Sequence, residues 1–191
     1  KPGDLRFIDQ NGDGILDSND KIKVGSGVPD ITLGLNINLI YNNFDLAANI
    51  YGEFGQKRYN YMKRQLQRAD KNFNYGRDML NSWTPNNPDS NIPRAVVGDP
   101  NNNNRLSTRY VENGDYIRLN NLQIGYTIPR NLSNSLGIDN LRLYVGGLKL
   151  LTFTKYKGYD PGMTGEIGSK GADDALYPLS RTFLAGIQLT F

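Results

Sequence analysis

The chain has 191 residues, a formal net charge of +3 and neither cysteine nor histidine. Disulfides, thiolate metal sites, imidazole bases and Ser-His or Cys-His nucleophile systems are therefore excluded, and so slight a positive charge is no footprint for nucleic acid. No apolar run approaches the ~18 residues of a membrane-spanning helix, a test that barrel strands escape because half of each faces a polar lumen.

Lys1-Pro2-Gly3-Asp4 carries neither a basic n-region nor an apolar h-region, so any export signal is expected elsewhere. Residues 1–28 then hold the segment Asp9-Gln10-Asn11-Gly12-Asp13-Gly14-Ile15-Leu16-Asp17-Ser18-Asn19-Asp20, which has the spacing of an EF-hand-type loop. Hard oxygens from Asp9, Asn11, Asp13, the Ile15 carbonyl, Asp17 and Asp20 would wrap calcium, with Gly14 permitting the sharp turn. Asp20 stands where an EF-hand has Glu, and its shorter reach keeps magnesium open as the ion. No helical pattern flanks the loop, so a calcium-sensing pair is not expected. The competing reading is an Asx-rich turn without metal.

From Ile31 to Tyr41 every odd position is apolar, a period of two. After Asn42-Asn43 the apolar residues fall on even numbers: Phe44, Leu46, Ala48 and Ile50. A two-residue primed turn at Asn42-Asn43 pairs positions whose numbers sum to 85, setting Tyr41 against Phe44 and Leu35 against Ile50. The parity switch thus keeps the apolar groups on one face.

The polar stretch 53–114 carries Tyr59, Met62, Leu66 and Ala69 at helical spacing, which predicts a short helix over 57–70. Tyr61, Phe73, Tyr75 and Trp83 lie in the same stretch. They either pack the loop's own core or offer flat faces for stacking on sugar rings.

A third strand is predicted from about Asp115 to Ile128, with a change of phase at Asn120-Asn121 that suggests a β-bulge. Residues 129–140 form a short connection, and Leu141 to about Phe153 a fourth strand. A Gly-rich loop, 154–180, leads to a fifth strand over 181–191, apolar at 183, 185, 187, 189 and 191 and ending on Phe191. That is how a membrane β-barrel ends.

The turn at 42–43, the 129–140 connection and Phe191 fall at one end of these strands, leaving 1–28, 53–114 and 154–180 at the other. Short periplasmic turns and long extracellular loops would give this arrangement. Tyr41, Phe44, Tyr126 and Phe191 near the short turns, and Phe54, Tyr116, Phe153 and Phe183 near the loops, suggest two aromatic girdles. Five strands are too few to close around a lumen, since small barrels need about eight. No spacing among the 19 acidic residues selects a hydrolytic pair, and the glycine-rich stretches lack the Gly-Lys-Ser/Thr of a phosphate loop. An enzyme is not expected.

Four ordered motifs, Pro2-Gly-Asp-Leu-Arg-Phe-Ile-Asp-Gln-Asn-Gly-Asp-Gly14, Arg109-Tyr-Val-Glu-Asn-Gly-Asp-Tyr-Ile-Arg-Leu-Asn-Asn-Leu122, Leu150-Leu-Thr-Phe-Thr-Lys-Tyr-Lys-Gly-Tyr-Asp-Pro161 and Tyr177-Pro-Leu-Ser-Arg-Thr-Phe183, together resemble the C-terminal region of SusC/RagA-type TonB-dependent outer-membrane transporters. The similarity spans essentially the whole chain. It implies an all-β, antiparallel transmembrane segment supplying about the last five strands of a 22-stranded barrel, closed around an N-terminal plug that lies elsewhere. Such transporters sit in the bacterial outer membrane and import oligosaccharides or peptides under a SusD-like lipoprotein lid, with energy supplied through TonB. The resemblance also makes the loop at 9–20 an extracellular calcium-type loop, and makes Phe191, with Gly186, the signal read during barrel assembly. Two departures are Gly147-Leu148-Lys149, where the family usually has Gln-Asn before Leu-Leu-Thr, and Leu184, where a polar residue is commoner. The rival class is a secreted, soluble, calcium-stabilised β-domain for adhesion or glycan binding.

Overall fold

A computed structural model describes the chain apart from residues 72–73, 134, 136 and 163–169. In chain order the elements are β1 Ile31–Tyr41, β2 Phe44–Phe54, β3 Lys57–Asn60, helix α1 Tyr61–Leu66, β4 Val111–Asn113, β5 Tyr116–Thr127, helix α2 Arg130–Ser133, β6 Asn140–Thr154, β7 Ala172–Asp173 and β8 Thr182–Thr190. They fall into two compact units, one of residues 28–56, 113–163 and 177–191, the other of 1–27, 57–112 and 164–176. No helix among the described residues is long and apolar enough to cross a membrane, which says nothing of strands.

The first unit is a five-stranded sheet of order β1-β2-β5-β6-β8, antiparallel at every pairing. Tyr41 faces Phe44 and Leu35 faces Ile50, the register that a two-residue turn dictates. Asn42, first in the turn, takes φ 52°, a left-handed conformation that Asn tolerates and primed turns need. The predicted irregularity in the third strand is present. Asn49 pairs with Asn121 but Ile50 with Leu119, so Asn120 is the extra residue. Across the next pairing, Leu119 faces Leu151 while Asn121 faces Leu148. Lys149 and Leu150 therefore oppose Asn120, and Lys149 takes φ 55°.

These bulges keep two faces distinct along the whole sheet. Leu35, Val145 and Ile187 are 54%, 58% and 66% exposed on one face, and Leu33, Leu39, Phe44, Phe153 and Phe183 are exposed with them. Pairing sets Asp45, Tyr51, Arg118, Gln123, Arg142 and Gln188 on the other face. Burial is thus inverted relative to a protein surrounded by water, in which large apolar patches are rare. Tyr116 corrects the aromatic-girdle expectation. It pairs with Glu53 and Thr154 and is buried on the polar face, because the bulge at Asn120 reverses the phase of β5.

The second unit contains a three-stranded sheet of order β4-β3-β7, with Tyr59 and Asn60 of β3 parallel to Ala172 and Asp173 of β7. The helix predicted over 57–70 is confined to Tyr61–Leu66. Asn60 caps its start, its side-chain oxygen accepting the Lys63 amide at 2.8 Å, and the residues before that cap are committed to β3. Tyr59 is therefore a strand residue, packed edge-on against the fully buried Tyr110 at 6.2 Å. Polar pins complete this unit: Arg94 to Asp4, Lys63 to Glu112 and Arg68 to Asp70.

Candidate functional site

The acidic loop is folded by its own side chains. Asp9 accepts the amides of Gly12 at 2.7 Å and Gly14 at 2.8 Å, drawing the chain into the turn that Gly14 makes at φ 80°. Asp13 accepts the Ile15 amide and the Asn11 side chain. Asp17 caps the single turn Ser18–Asp20, and Asp20 accepts the amides of Gln10 at 2.7 Å and Asp17 at 2.8 Å, joining the end of the loop to its beginning. The Gln10 amide first, and the Asp17 amide after it, hold the Asp20 carboxyl below the usual carboxylate range.

Asp9, Asn11, Asp13, Ile15, Asp17 and Asp20 are thus brought into one loop with the hard-oxygen chemistry that calcium takes. Among the described residues, however, no three acidic side chains gather as a metal ion would require. Cation binding here has to draw these carboxylates together, and each keeps lone pairs for a cation beyond those its amides use.

The four loop aromatics have separate surroundings. Tyr61, half-buried, lies 6.0 Å from the Arg64 guanidinium. Trp83 is held through its amide to the Ile92 carbonyl at 2.8 Å and packs over Gly3, where an added Cβ would lie 2.5 Å from Trp83 Cδ2. Tyr75 is 48% exposed and donates to the Lys71 carbonyl. Phe73 lies outside the described residues.

The polar face of the large sheet carries two charge clusters absent from the candidates read in the sequence. Toward the Asn42-Asn43 turn, Arg142 donates to Asp45 through Nε at 2.8 Å and through Nη2, and its guanidinium lies 5.2 Å from the Tyr144 ring. Tyr144 in turn covers Gly186, where an added Cβ would meet Tyr144 Cε1 at 2.8 Å. Gly186 therefore has a packing role whatever part it takes in assembly. Toward the other end, Arg118 donates to Thr152 at 2.9 Å and to Asp160, beside Tyr116 at 5.0 Å. Glu53 accepts from Tyr51 at 2.8 Å and Gln56 at 3.1 Å. Asn49 donates to Asn36 at 2.7 Å between these groups. Phe191, one residue beyond β8, is exposed.

A continuous wall, greasy on one side and lined with amides, hydroxyls and ion pairs on the other, has counterparts among known proteins. The chain is 35% identical over its whole length to TonB-dependent receptor P3 of Formosa agariphila and 34% identical over 99% of its length to receptor P26 of the same organism. It is 28% identical to TonB-dependent receptor SusC of Bacteroides thetaiotaomicron, again over its whole length. The chain covers 19%, 20% and 18% of these relatives, so it spans about a fifth of the curated proteins it matches. No family model matches it. Among solved structures, the RagAB peptide transporter superposes with a TM-score of 0.74 at 29% identity, over 87% of this chain and 18% of that one. The 'open-open' state of the RagAB peptide importer gives 0.70 at 28%, over 86% and 17%.

Over its whole length the chain is similar to the TonB-dependent receptors of SusC/RagA type. That family resides in the outer membrane and consists of receptors and transporters rather than enzymes. In this chain the signal for Asp45, Arg118 and Arg142 was present in the sequence as charge in the phase opposite to the apolar residues. Their partners depend on which strands become neighbours, which phase alone does not specify.

Proposed function

We propose that the chain forms five adjacent wall strands of an outer-membrane transporter that imports oligosaccharides or peptides, its apolar face in lipid and its polar face toward the lumen. The inverted burial of the sheet carries this reading. In water each exposed Leu or Ile forgoes about 1.5–3 kcal/mol of burial, whereas lipid takes such a face without that cost. β1 and β8 each have one neighbour in the sheet, and further barrel strands would satisfy their free edges. Residues 1–28, 53–114 and 154–180 would then be extracellular. A SusD-like lipoprotein above them, the TonB complex below and an assembly role for Phe191 and Gly186 belong to the same proposal. The similarity to SusC and to RagAB supports it.

The loop at 9–20 is proposed to take a structural calcium ion, held by Asp9, Asn11, Asp13, the Ile15 carbonyl, Asp17 and Asp20, with magnesium as its competitor. Its oxygen donors support this.

Nitroxides at single cysteines in the membrane-embedded full-length receptor test the wall. Those at Leu35, Val145 and Ile187 should be relaxed by lipid-soluble oxygen, and those at Asn36 and Gln123 by a water-soluble nickel complex. Equal nickel access at Leu35 would reject the wall and favour the soluble calcium-stabilised β-domain for adhesion or glycan binding.

A further inference from the structure

We propose that Arg118 and Asp160 form a latch that folds segment 154–162 inward over the polar face, where it narrows the space above this part of the wall. The narrowing role rests on reading that face as the lumen; the latch does not. A chain leaving β6 at Thr154 has no need to turn back toward the sheet. Here it does. Thr154 donates to the Asp115 carbonyl at 2.7 Å and accepts the Tyr156 amide at 3.1 Å, which starts the reversal. Tyr156, Asp160 and Pro161 are buried while Lys155 before them and Lys157 and Tyr159 between them are exposed, so the segment has an inner and an outer side.

Asp160 reaches Arg118, a residue whose strand partner is Thr152, two positions before the end of β6. Gly162 lies against Tyr116, an added Cβ standing 3.1 Å from the Tyr116 hydroxyl, and its amide donates to Asp160 at 2.8 Å. Arg118 and Asp160 are 5% and 8% exposed. A pair this well shielded holds firmly while both partners are present, and removing one charge leaves the other buried without compensation. Asp160 is also the segment's own carboxylate, so the latch needs no ligand to close.

The test uses hydrogen exchange of the full-length receptor in its membrane. Asp160→Asn keeps an oxygen for the Gly162 amide and removes the charge. It should speed exchange of amides in 154–162 by about tenfold or more, while the β1–β2 hairpin is unchanged. Arg118→Lys, which keeps the charge but lacks the guanidinium's fixed fork toward Thr152 and Asp160, should speed it less. Exchange that stays at the parent rate in both variants overturns the latch. The narrowing is read separately, from the rate at which a bulky, membrane-impermeant maleimide labels Gln123→Cys in whole cells. Faster labelling in the Asp160→Asn background is expected. Faster exchange with unchanged labelling overturns the narrowing role. Failure of even a small water-soluble maleimide to label Gln123→Cys in either background refutes the lumen reading, with hydrogen exchange still deciding the latch.

Discussion

Asp45 and Arg142 are joined across a strand to which neither belongs. Asp45 lies on β2 and Arg142 on β6, with β5 between them, and Gly125 of β5 is the strand partner of Asp45 on one side and of Tyr144 on the other. The guanidinium crosses over Gly125 to meet both carboxylate oxygens, a bidentate geometry that fixes orientation as well as charge. Tyr144 continues the row from Arg142 to Gly186 on β8. Side chains of β2 and β6 are thereby joined over Gly125 of β5 and reach Gly186 of β8 on one face, in addition to the backbone ladders.

Gly125→Ala should break this row. The added Cβ would lie 2.5 Å from Arg142 Nη2 and 2.6 Å from Nε, so the ion pair must move aside. We expect a loss of about 1–3 kcal/mol, the usual range for overpacking. On an Asp45→Asn background the same substitution should cost less, because the clash and the pair are one interaction. Urea unfolding of the receptor in vesicles, run as a double-mutant cycle, measures this, and additive losses would show that Gly125 does not serve the pair.

Lys149 marks a second irregular point. Its φ of 55° is a left-handed conformation that Asn and Gly occupy more readily than Lys. Lys149→Asn or Lys149→Gly should therefore stabilise the sheet, by about 0.5–1 kcal/mol in the case of Gly, with the gain read as a higher urea midpoint. A lower midpoint would mean that the Lys149 ammonium has a role outweighing the backbone.

These two sites also show where sequence reading stops. The β1–β2 register was legible residue by residue, since Asn42-Asn43 fixes the turn and the parity switch fixes the faces. The slip at Asn120 was legible as a change of apolar phase between Leu119 and Leu122. Its counterpart at Lys149 and Leu150 was hidden, because Gly146 and Gly147 interrupt the alternation and Leu148, Leu150 and Leu151 give both phases a leucine. The helix was over-extended because Tyr59 happens to match a helical spacing while belonging to β3. Asn60, a good cap residue, was the missed signal. Asp160 lies in a loop, where no periodicity announces that the chain turns back on itself.

Acid should loosen the second unit through Asp4. The Arg94 guanidinium, chiefly by its hydrogen bonds and helped by the Asn103 amide, holds the Asp4 carboxyl far below the usual carboxylate range against the opposing effect of burial. A carboxyl whose folded pKa is depressed contributes its stability in full above the unfolded value of about 3.9, and loses it as pH falls below that value toward the folded one. Trp83 packs over Gly3, the neighbour of Asp4, and its emission reports the change once the spectrum of Trp83→Phe is subtracted. Parent emission should hold at about pH 4 and shift only as pH falls well below it, toward the depressed folded value. In Asp4→Asn the shift should already be partly present at pH 7 and should vary little below it. A parent-like acid transition in Asp4→Asn would assign the acid sensitivity elsewhere.

Charge placed on the two faces of one strand should separate lipid from lumen by energy rather than by access. Leu35 and Asn36 are consecutive on β1, so they differ in face but hardly in depth. Leu35→Arg puts a guanidinium among exposed apolar side chains and should destabilise the folded receptor by about 2–4 kcal/mol if that level is near the bilayer midplane. Asn36→Arg points the same group toward the face that holds Asn49, Asp45 and Gln123, and its main cost is the lost hydrogen bond to Asn49, about 1 kcal/mol. Unfolding titrations of the membrane-embedded receptor supply both values. A large penalty at Leu35 with a small one at Asn36 supports the assigned faces, the reverse order would exchange them, and equal small penalties would place both faces of β1 in water.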